Sequence, residues 1–198
     1  MAARLLRGDE DAFTAFVENF HSRLAQYSFL MCGQREDAEE VAQETLLKVF
    51  ERIGELREPG RLKAWVFRIA KNECLMKRRK SVFAPAAELS LDELRPRASD
   101  GAGTTAFEIA DWTALPEDLV LDTELRDAIA RALRAVPEIY RSVVLLRDVE
   151  ELSTAETAEI LDLSLDTVKQ RLHRGRLLLR ESIDQYLRAR KPEGGRHA

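Results

Sequence analysis

Apolar residues recur at intervals of three and four positions in both halves of this sequence, and no other feature limits the possible fold as strongly. Such spacing places apolar side chains on one face of an α-helix, whereas alternate residues share a face in a β-strand. In the first half it predicts three helices with these buried stripes: Phe13, Phe16, Val17, Phe20, Leu24 and Tyr27; Ala38, Val41, Ala42, Thr45, Leu46, Val49 and Phe50; Leu62, Trp65, Val66 and Ile69, extended by Leu75 or Met76. The chain is therefore predicted to be all-α.

The helical spacing is lost in the middle of the chain. Between residues 83 and 117, prolines and glycines are mixed with serine, threonine and many acidic residues, a composition that is typical of a linker. We predict two small helical domains, residues 1–82 and 118–190, joined by a flexible acidic linker over 83–117. Residues 191–198 are predicted to form a short disordered tail.

Charge is sorted along the chain. The 198 residues carry a formal net charge of −4, which argues against a protein that coats nucleic acid without specificity. Residues 57–80 nevertheless hold nine basic and two acidic residues, and residues 84–127 hold eleven acidic residues and three arginines. Because binding to a polyanion depends on the local distribution of charge, the basic segments are compatible with nucleic-acid binding despite the negative net charge.

The remaining composition excludes several classes of protein. No apolar run reaches the roughly 18–20 residues of a membrane helix, and acidic residues come too early for a signal peptide, so we expect no membrane insertion. Cys32 and Cys74 lack CxxC spacing, which predicts buried thiols and a cytoplasmic location. His21, His173 and His197 are the only histidines, and none accompanies a nucleophile or has metal-ligand spacing. We expect no catalysis, metal or cofactor.

Two short helices joined by a tight turn are predicted near the C-terminus. Ser153 and Glu156 form the S-x-x-E pattern of a capping box, and the helix that they start runs to about Leu161. After the turn DLSL, a second helix begins at about Asp166, whose carboxylate suits an N-terminal cap. This arrangement is typical of a helix-turn-helix, in which the second helix enters the DNA major groove.

The second helix of this motif has an outward face rich in hydrogen-bond donors. At about 100° per residue, its inward face consists of Val168, Leu172, Gly175 and Leu179. The outward residues are the candidate base readers Gln170, His173 and Arg174 and the candidate phosphate contacts Thr167, Lys169, Arg171 and Arg176. A solvated helix face usually mixes acids with bases, but no acid lies between Asp166 and Glu181. We therefore predict contact with DNA.

Four segments resemble, in the same order, the extracytoplasmic-function group of bacterial sigma-70-superfamily initiation factors. LSTAETAEILDLSLDTVKQRLHRGRLLLRE is similar to the group's DNA-binding region, and VPEIYRSVVLLRDVEELS is similar to the segment that leads into it. REDAEEVAQETLLKVFERI resembles its core-polymerase-binding helix, and RLKAWVFRIAKNECLMKRRK resembles its promoter-melting helix. The resemblance covers both predicted domains.

The resemblance implies a promoter-specificity subunit, with core RNA polymerase, promoter DNA and an anti-sigma factor as partners. It assigns polymerase binding to Asp37, Glu40, Gln43, Glu44 and Lys48, which the residue pattern alone would leave as solvated surface. It assigns the single-stranded minus-ten element to Arg61, Lys63, Arg68, Lys71, Asn72, Lys77, Arg78 and Arg79, with a flipped base held beside residues 56–62. The resemblance also assigns binding of the minus-thirty-five duplex to the outward face of the basic helix.

The basic helix departs from the group's pattern, G-T-V-K-S-R-L-H-R-A-R, at three positions: Asp166, Gln170 and Gly175. Gln170 faces outward, and we expect it to alter base preference. Gly175 costs up to about 1 kcal/mol of helix propensity relative to alanine and is expected to allow close approach of the preceding helix. In relatives the linker threads through the polymerase, although a plain tether also fits its composition.

A helix-turn-helix regulator of another class is the alternative interpretation. The output domain of a response regulator is one example, and it would be accompanied by a βαβ receiver domain with a buried aspartate. The sequence shows no such strand pattern.

Overall fold

A computed structural model describes residues 1–80 and 123–190. Within these ranges every regular element is helical, which confirms the all-α prediction. The helices are α1 (Ala2–Leu5), α2 (Glu10–Cys32), α3 (Arg35–Arg52), α4 (Leu62–Lys80), α5 (Thr123–Ala135), α6 (Glu138–Val144), α7 (Thr154–Leu161) and α8 (Leu165–Arg190). The predicted linker over 83–117 and the tail over 191–198 lie outside the described residues. No described helix combines the length and apolarity needed to cross a bilayer.

Helix α2 is the centre of the N-terminal half and packs against α3 and α4. The carboxylate of Asp9 caps its start by accepting a hydrogen bond from the backbone N–H of Ala12 at 3.0 Å. Gly33 ends the helix with a φ of 86°, in the left-handed region that favours glycine. The buried face includes Phe16 and Phe20, whose rings stack with their centroids 4.5 Å apart.

The predicted stripes of α3 and α4 are wrong at their C-terminal ends. Phe50 is 60% exposed, because it lies about 110° round the helix from the centre of the buried residues. On α4, Leu75 and Met76 are exposed, and Cys74 is buried instead. Met76 continues the spacing of the predicted stripe, seven residues after Ile69, but the buried face of α4 is rotated toward Phe67 and Ala70. Cys74 lies seven and four residues after these two and therefore falls within that face.

The helix-turn-helix is formed by α7 and α8. The predicted capping box is present at the start of α7: Ser153 accepts from the backbone of Glu156, and the carboxylate of Glu156 accepts from the backbone of Ser153. The helix ends at Leu161, as predicted. Asp162 then adopts a left-handed φ of 56°, which turns the chain sharply into α8.

Helix α8 begins at Leu165, one residue before the predicted start. Its cap is Ser164, whose Oγ accepts a hydrogen bond from the backbone N–H of Thr167 at 3.1 Å. The prediction that Asp166 caps this helix is therefore wrong. Asp166 lies inside the first turn, and its carboxylate is 3.2 Å from the ammonium group of Lys169, where it also complements the helix dipole.

The two halves share one hydrophobic core. Apolar residues from α5, α6, the π-helical segment Leu145–Val149, the connection that follows it and α7 pack into the core of α2–α4. The buried ones are Leu133, Val144, Leu145, Leu146, Leu152 and Ile160. The guanidinium of Arg134 also lies 4.9 Å from the ring centroid of Phe29 on α2. The two predicted domains are thus packed against each other.

Glu150 is a buried carboxylate at this junction. Its side chain is 5% exposed, and its Oε2 lies 2.5 Å from Nη2 of Arg23 and 3.9 Å from Nζ of Lys63. Burial raises the pKa of Glu150 above its ordinary value and outweighs the opposing effect of Arg23 and Lys63. The neutral carboxyl is therefore favoured by folding more than the charged one.

Glu150→Gln should raise the melting temperature at pH 7. A carboxyl whose pKa is higher in the folded state stabilises the fold below its unfolded pKa and loses that contribution as the pH rises through the folded pKa. Glutamine mimics the neutral carboxyl. The melting temperature of the variant should therefore exceed that of the parent at pH 7, and the two melting temperatures should converge toward pH 4. Glu51→Gln, on the exposed surface of α3, is the control. A lower melting temperature at pH 7 would mean that the ion pair with Arg23 outweighs burial.

Candidate nucleic-acid interface

The polar face of α8 has the orientation that its spacing predicts. Gln170, His173 and Arg174 are exposed on consecutive turns, and Lys169 beside them is also exposed. Val168, on the opposite face, is completely buried. A row of amide, imidazole and guanidinium groups is thereby held on a helix whose other side is anchored in the protein, as base recognition in a major groove requires.

Gly175 is required where α8 crosses α6. A Cβ atom at this position would lie 2.5 Å from Cγ2 of Val144 and 3.3 Å from the carbonyl oxygen of Tyr140. The predicted close approach is present, but the neighbour is α6 and not α7, the helix that precedes α8 in the chain. Because Val144 is itself buried, it has little room to move away from an added methyl group.

Several predicted phosphate contacts already have partners within the protein. Arg176 forms two hydrogen bonds to Asp148, at 2.9 and 2.6 Å, and these raise the pKa of Arg176. The hydroxyl of Thr167 lies 2.8 Å from that of Ser164. Arg171 is half-buried on the same helix. Arg176 must therefore exchange a carboxylate for a phosphate if it is to bind the DNA backbone.

A second basic surface lies on α4 and the turn before it. Arg61 hydrogen-bonds to Glu159 of α7, and Nη1 of Arg68 lies 3.2 Å from the other oxygen of the same carboxylate. The hydrogen bond raises the pKa of Arg61. Both arginines keep about half of their side-chain surface exposed, at 40% and 54%, so the contact is open to competition.

The other predicted minus-ten residues on α4 differ in their burial and in their ion-pair partners. Lys63 contacts Glu150, Lys71 is half-buried and Asn72 is exposed. Lys77 hydrogen-bonds to Glu40 of α3, which raises the pKa of that lysine. Arg78 and Arg79 belong to the last turn of α4, and their side chains lie outside the described part.

A cavity of about 350 Å³ opens beside the turn over residues 56–62. Leu56 and Arg57 line the cavity together with Ala64 and Trp65 of α4, and Glu159 and Ile160 of α7 complete the lining. Trp65, predicted as a core residue, is half-buried and contributes to both the core and the cavity wall. The position is that of the predicted pocket for a flipped base.

The outer face of α3 carries the predicted polymerase-binding residues and an apolar patch that the sequence did not reveal. Glu40, Gln43 and Glu44 are exposed, Asp37 and Lys48 are half-buried, and Lys48 pairs with Glu73 of α4 at 2.6 Å. Leu47 and Phe50 are 50% and 60% exposed beside them. On a helical wheel both residues lie on the same side as the polar Gln43, and this position indicates that they are exposed.

Both halves of the chain match models of one protein family. Residues 16–82 match Sigma-70 region 2, and residues 126–179 match Sigma-70, region 4. The chain is 31% identical over 179 residues to the ECF RNA polymerase sigma factor SigW of Bacillus subtilis (strain 168). The alignment covers 89% of this chain and 91% of the relative. It is 27% identical over 194 residues to the ECF RNA polymerase sigma-E factor of Escherichia coli (strain K12), with 95% of each chain covered.

Two solved structures have a similar fold. One is the sigma factor RpoE in complex with the anti-sigma factor NepR from Bartonella quintana, with a TM-score of 0.61, 21% identity and coverage of 87% of this chain and 97% of that chain. The other is CnrH in complex with the cytosolic domain of CnrY, with a TM-score of 0.59, 23% identity and coverage of 93% and 95%. At these identities the likeness concerns the fold alone.

Gly175→Ala should destabilise the C-terminal half. The added methyl group meets a buried side chain and a backbone carbonyl, which costs about 1–3 kcal/mol and exceeds the gain in helix propensity of up to about 1 kcal/mol. We expect a lower midpoint in urea unfolding followed by circular dichroism. Arg174→Ala, on the exposed face of the same helix, should unfold at the parent's midpoint. An unchanged midpoint for Gly175→Ala would show that α6 and α8 can separate without cost.

Proposed function

Because this chain belongs to the extracytoplasmic-function (ECF) family of RNA polymerase sigma factors, we propose specific roles for its two basic surfaces and its acidic α3 face in transcription initiation. As a sigma factor it works with core RNA polymerase at promoters. We assign the minus-thirty-five duplex to α8, the minus-ten single strand to α4 and the turn before it, and polymerase binding to α3.

The exposed face of α8 is the observation that carries this assignment. Arg174 has the planar fork that pairs with guanine, Gln170 the amide that pairs with adenine, and His173 reaches the same groove. Thr167, Lys169, Arg171 and Arg176 flank these base readers and would contact the phosphates. Because Gln170 is exposed at the centre of the face, it is the residue that we expect to distinguish this chain's promoters.

The surface around α4 suits a single DNA strand. Opening of base pairs must be compensated by stacking and by positive charge on the exposed strand. The cavity beside residues 56–62 supplies an apolar wall at Leu56 and Trp65. The charge and polar contacts come from these residues: Arg61, Lys63, Arg68, Lys71, Asn72, Lys77, Arg78 and Arg79.

The α3 face combines acidic and apolar side chains in the way that a protein interface does. Leu47 and Phe50 form a small apolar centre. The polar residues that we place around it are Asp37, Glu40, Gln43, Glu44 and Lys48. An apolar anchor surrounded by polar groups is the usual anatomy of a stable contact between proteins.

We place this protein in the cytoplasm, where core polymerase meets DNA, and we assign it no catalytic step of its own. Its regulator would be an anti-sigma factor, in line with the complex of the similarly folded RpoE with NepR. The alternative of a response-regulator output domain does not account for the region 2 match over residues 16–82.

The direct test is in vitro transcription with core polymerase across a genomic library, with start sites mapped on the products. We expect start sites that appear only when the protein is added. Transcripts identical to those of core polymerase alone would overturn the assignment.

Two substitutions should separate the two DNA contacts. Arg174→Ala should weaken binding of the holoenzyme to the duplex upstream element by about 5- to 150-fold, because a bidentate base contact discriminates by about 1–3 kcal/mol. Lys71→Ala should leave duplex binding intact and slow open-complex formation, measured by permanganate reactivity of unpaired thymines. Failure of both variants at the same step would contradict this division.

Phe50→Ala should weaken binding to core polymerase by tenfold or more, since a buried aromatic anchor contributes on the order of 2 kcal/mol to an interface. Competition between labelled parent and variant for core polymerase measures the effect. Met76→Ala removes a comparably exposed side chain from α4 and should bind as the parent does. Equal affinity of the Phe50 variant and the parent would remove Phe50 from the interface.

A further inference from the structure

Asp166 is an acidic residue on the outward side of α8, where the neighbouring residues are donors. Its side chain is 83% exposed. At about 100° per residue it lies about 160° round the helix from the buried Val168, between His173 at about 140° and Gln170 at about 200°. Asp166, Gln170 and His173 therefore form one stripe along the outward face, with Asp166 nearest to the start of the helix.

The carboxylate of Asp166 is not needed to start the helix. Ser164 already caps α8 through its hydrogen bond from the backbone N–H of Thr167. The ion pair of Asp166 with Lys169 is exposed, and such a pair contributes little stability. A negative charge on this side also repels the DNA backbone. Its position there is therefore favourable only if a donor on the DNA or a nearby cation compensates for the charge.

The base edges in the major groove differ in whether they offer such a donor. Cytosine presents its N4 amino group, whereas guanine presents the acceptors N7 and O6 and thymine presents the acceptor O4. Adenine has an N6 donor directly beside its N7 acceptor. An ionised carboxylate can only accept hydrogen bonds. Since the N-terminal residues of a recognition helix contact base edges, the carboxylate of Asp166 suits cytosine and opposes guanine and thymine.

Lys169 supplies the cation that makes this acid tolerable beside phosphates. Its Nζ lies 3.2 Å from Oδ1 of Asp166, and its own side chain is 67% exposed. We assign Lys169 to a phosphate at the wall of the groove. An ammonium group has three donors, so Lys169 can bind that phosphate and Asp166 at the same time. The carboxylate is then held between the backbone and the base edges.

We propose that Asp166 is a specificity-determining residue that selects cytosine at one base pair of the minus-thirty-five element and rejects guanine and thymine there. The proposal rests on the assigned role of α8 in binding that duplex. Four residues rise about 6 Å along a helix, and base pairs are about 3.4 Å apart. The base pair that Asp166 reads therefore lies within about two steps of the one that Gln170 reads.

The test uses the holoenzyme, formed from core polymerase and the full chain, and a duplex promoter library. The library is built on a promoter mapped in the transcription assay, with its minus-thirty-five region randomised. Bound DNA is recovered and sequenced, and the strand is assigned from the position of the start site. Asp166→Ala removes both the acceptor and the charge.

Asp184→Ala is the matched control, because it removes the same side chain from the same face of the same helix. Eighteen residues make about five helical turns, so Asp184 lies about 27 Å further along α8, beyond the residues that we assign to DNA. Like Asp166, it is near a basic side chain, with Oδ2 at 3.9 Å from Nε of Arg180. This control measures the general gain in affinity from the loss of one negative charge.

We expect the parent to enrich cytosine about tenfold over guanine and thymine at one position of the element. Asp166→Ala should reduce this preference to less than about twofold and leave the other positions as they are in the parent. Asp184→Ala should give the parent's profile. Competition binding with four duplexes that differ only at that base pair measures the same ratios directly, and thermal melts establish that both variants are folded.

A purely structural role of Asp166 predicts a different result. The helix dipole favours an acid in the first turn whichever base lies opposite, so loss of that effect would change the affinity for all four duplexes by the same factor. Such a uniform change would overturn the proposal. A cytosine preference that Asp166→Ala retains in full would overturn it as well.

Failure of this proposal is distinguishable from failure of the proposed function. If the parent holoenzyme enriches no sequence in the randomised region, the assignment of α8 to the minus-thirty-five duplex is wrong. If the parent enriches an element that Arg174→Ala alters and Asp166→Ala leaves unchanged at every position, α8 reads the duplex and only the role of Asp166 is wrong.

Discussion

The apolar junction between the two halves is the contact on which the rest of the structure depends. Among its described residues, the helix-turn-helix half has a small buried cluster of its own: Val143, Ala158 and Val168. Its larger residues, among them Leu145 and Leu146, are buried in the core formed with α2–α4. Burial of a leucine contributes about 1.5–3 kcal/mol, whereas exposed ion pairs contribute little. Apolar burial therefore holds the halves together, and the surrounding charges select their orientation.

That orientation explains why an acidic protein keeps well-defined basic surfaces. In the described part of the chain, arginines on both surfaces are matched by carboxylates from other elements: Arg61 and Arg68 by Glu159, and Arg176 by Asp148. The acids are placed where an anionic ligand would bind. Exchange of a carboxylate for a phosphate would keep the charge balance nearly constant, so the DNA contacts that we propose for these surfaces would form at modest cost.

Local patterns in the sequence predicted most of the helix-turn-helix. The capping box of Ser153 and Glu156 and the inward position of Val168 depend on residues within one or two helical turns. The errors arose where the outcome depends on another element. The spacing predicts that Phe50 is a core residue, but among the described residues its side of α3 stays largely uncovered, and the ring of Phe13 packs against one edge with the centroids 4.9 Å apart. For Gly175, the close approach was predicted and the partner helix was not.

The sequence by itself determined the all-α class, the helical segments, the donor-rich face of α8 and the likeness to sigma factors, because each follows from periodicity, capping or local motif. Only the tertiary structure decided that the two halves share a core, that Glu159 occupies Arg61 and Arg68, and that Leu47 and Phe50 remain exposed. These features pair residues about 90 to 130 positions apart or depend on which helix face is covered. Contacts between residues so far apart in the sequence depend on how whole helices pack, and the spacing of apolar residues within one helix does not determine which helix faces will meet.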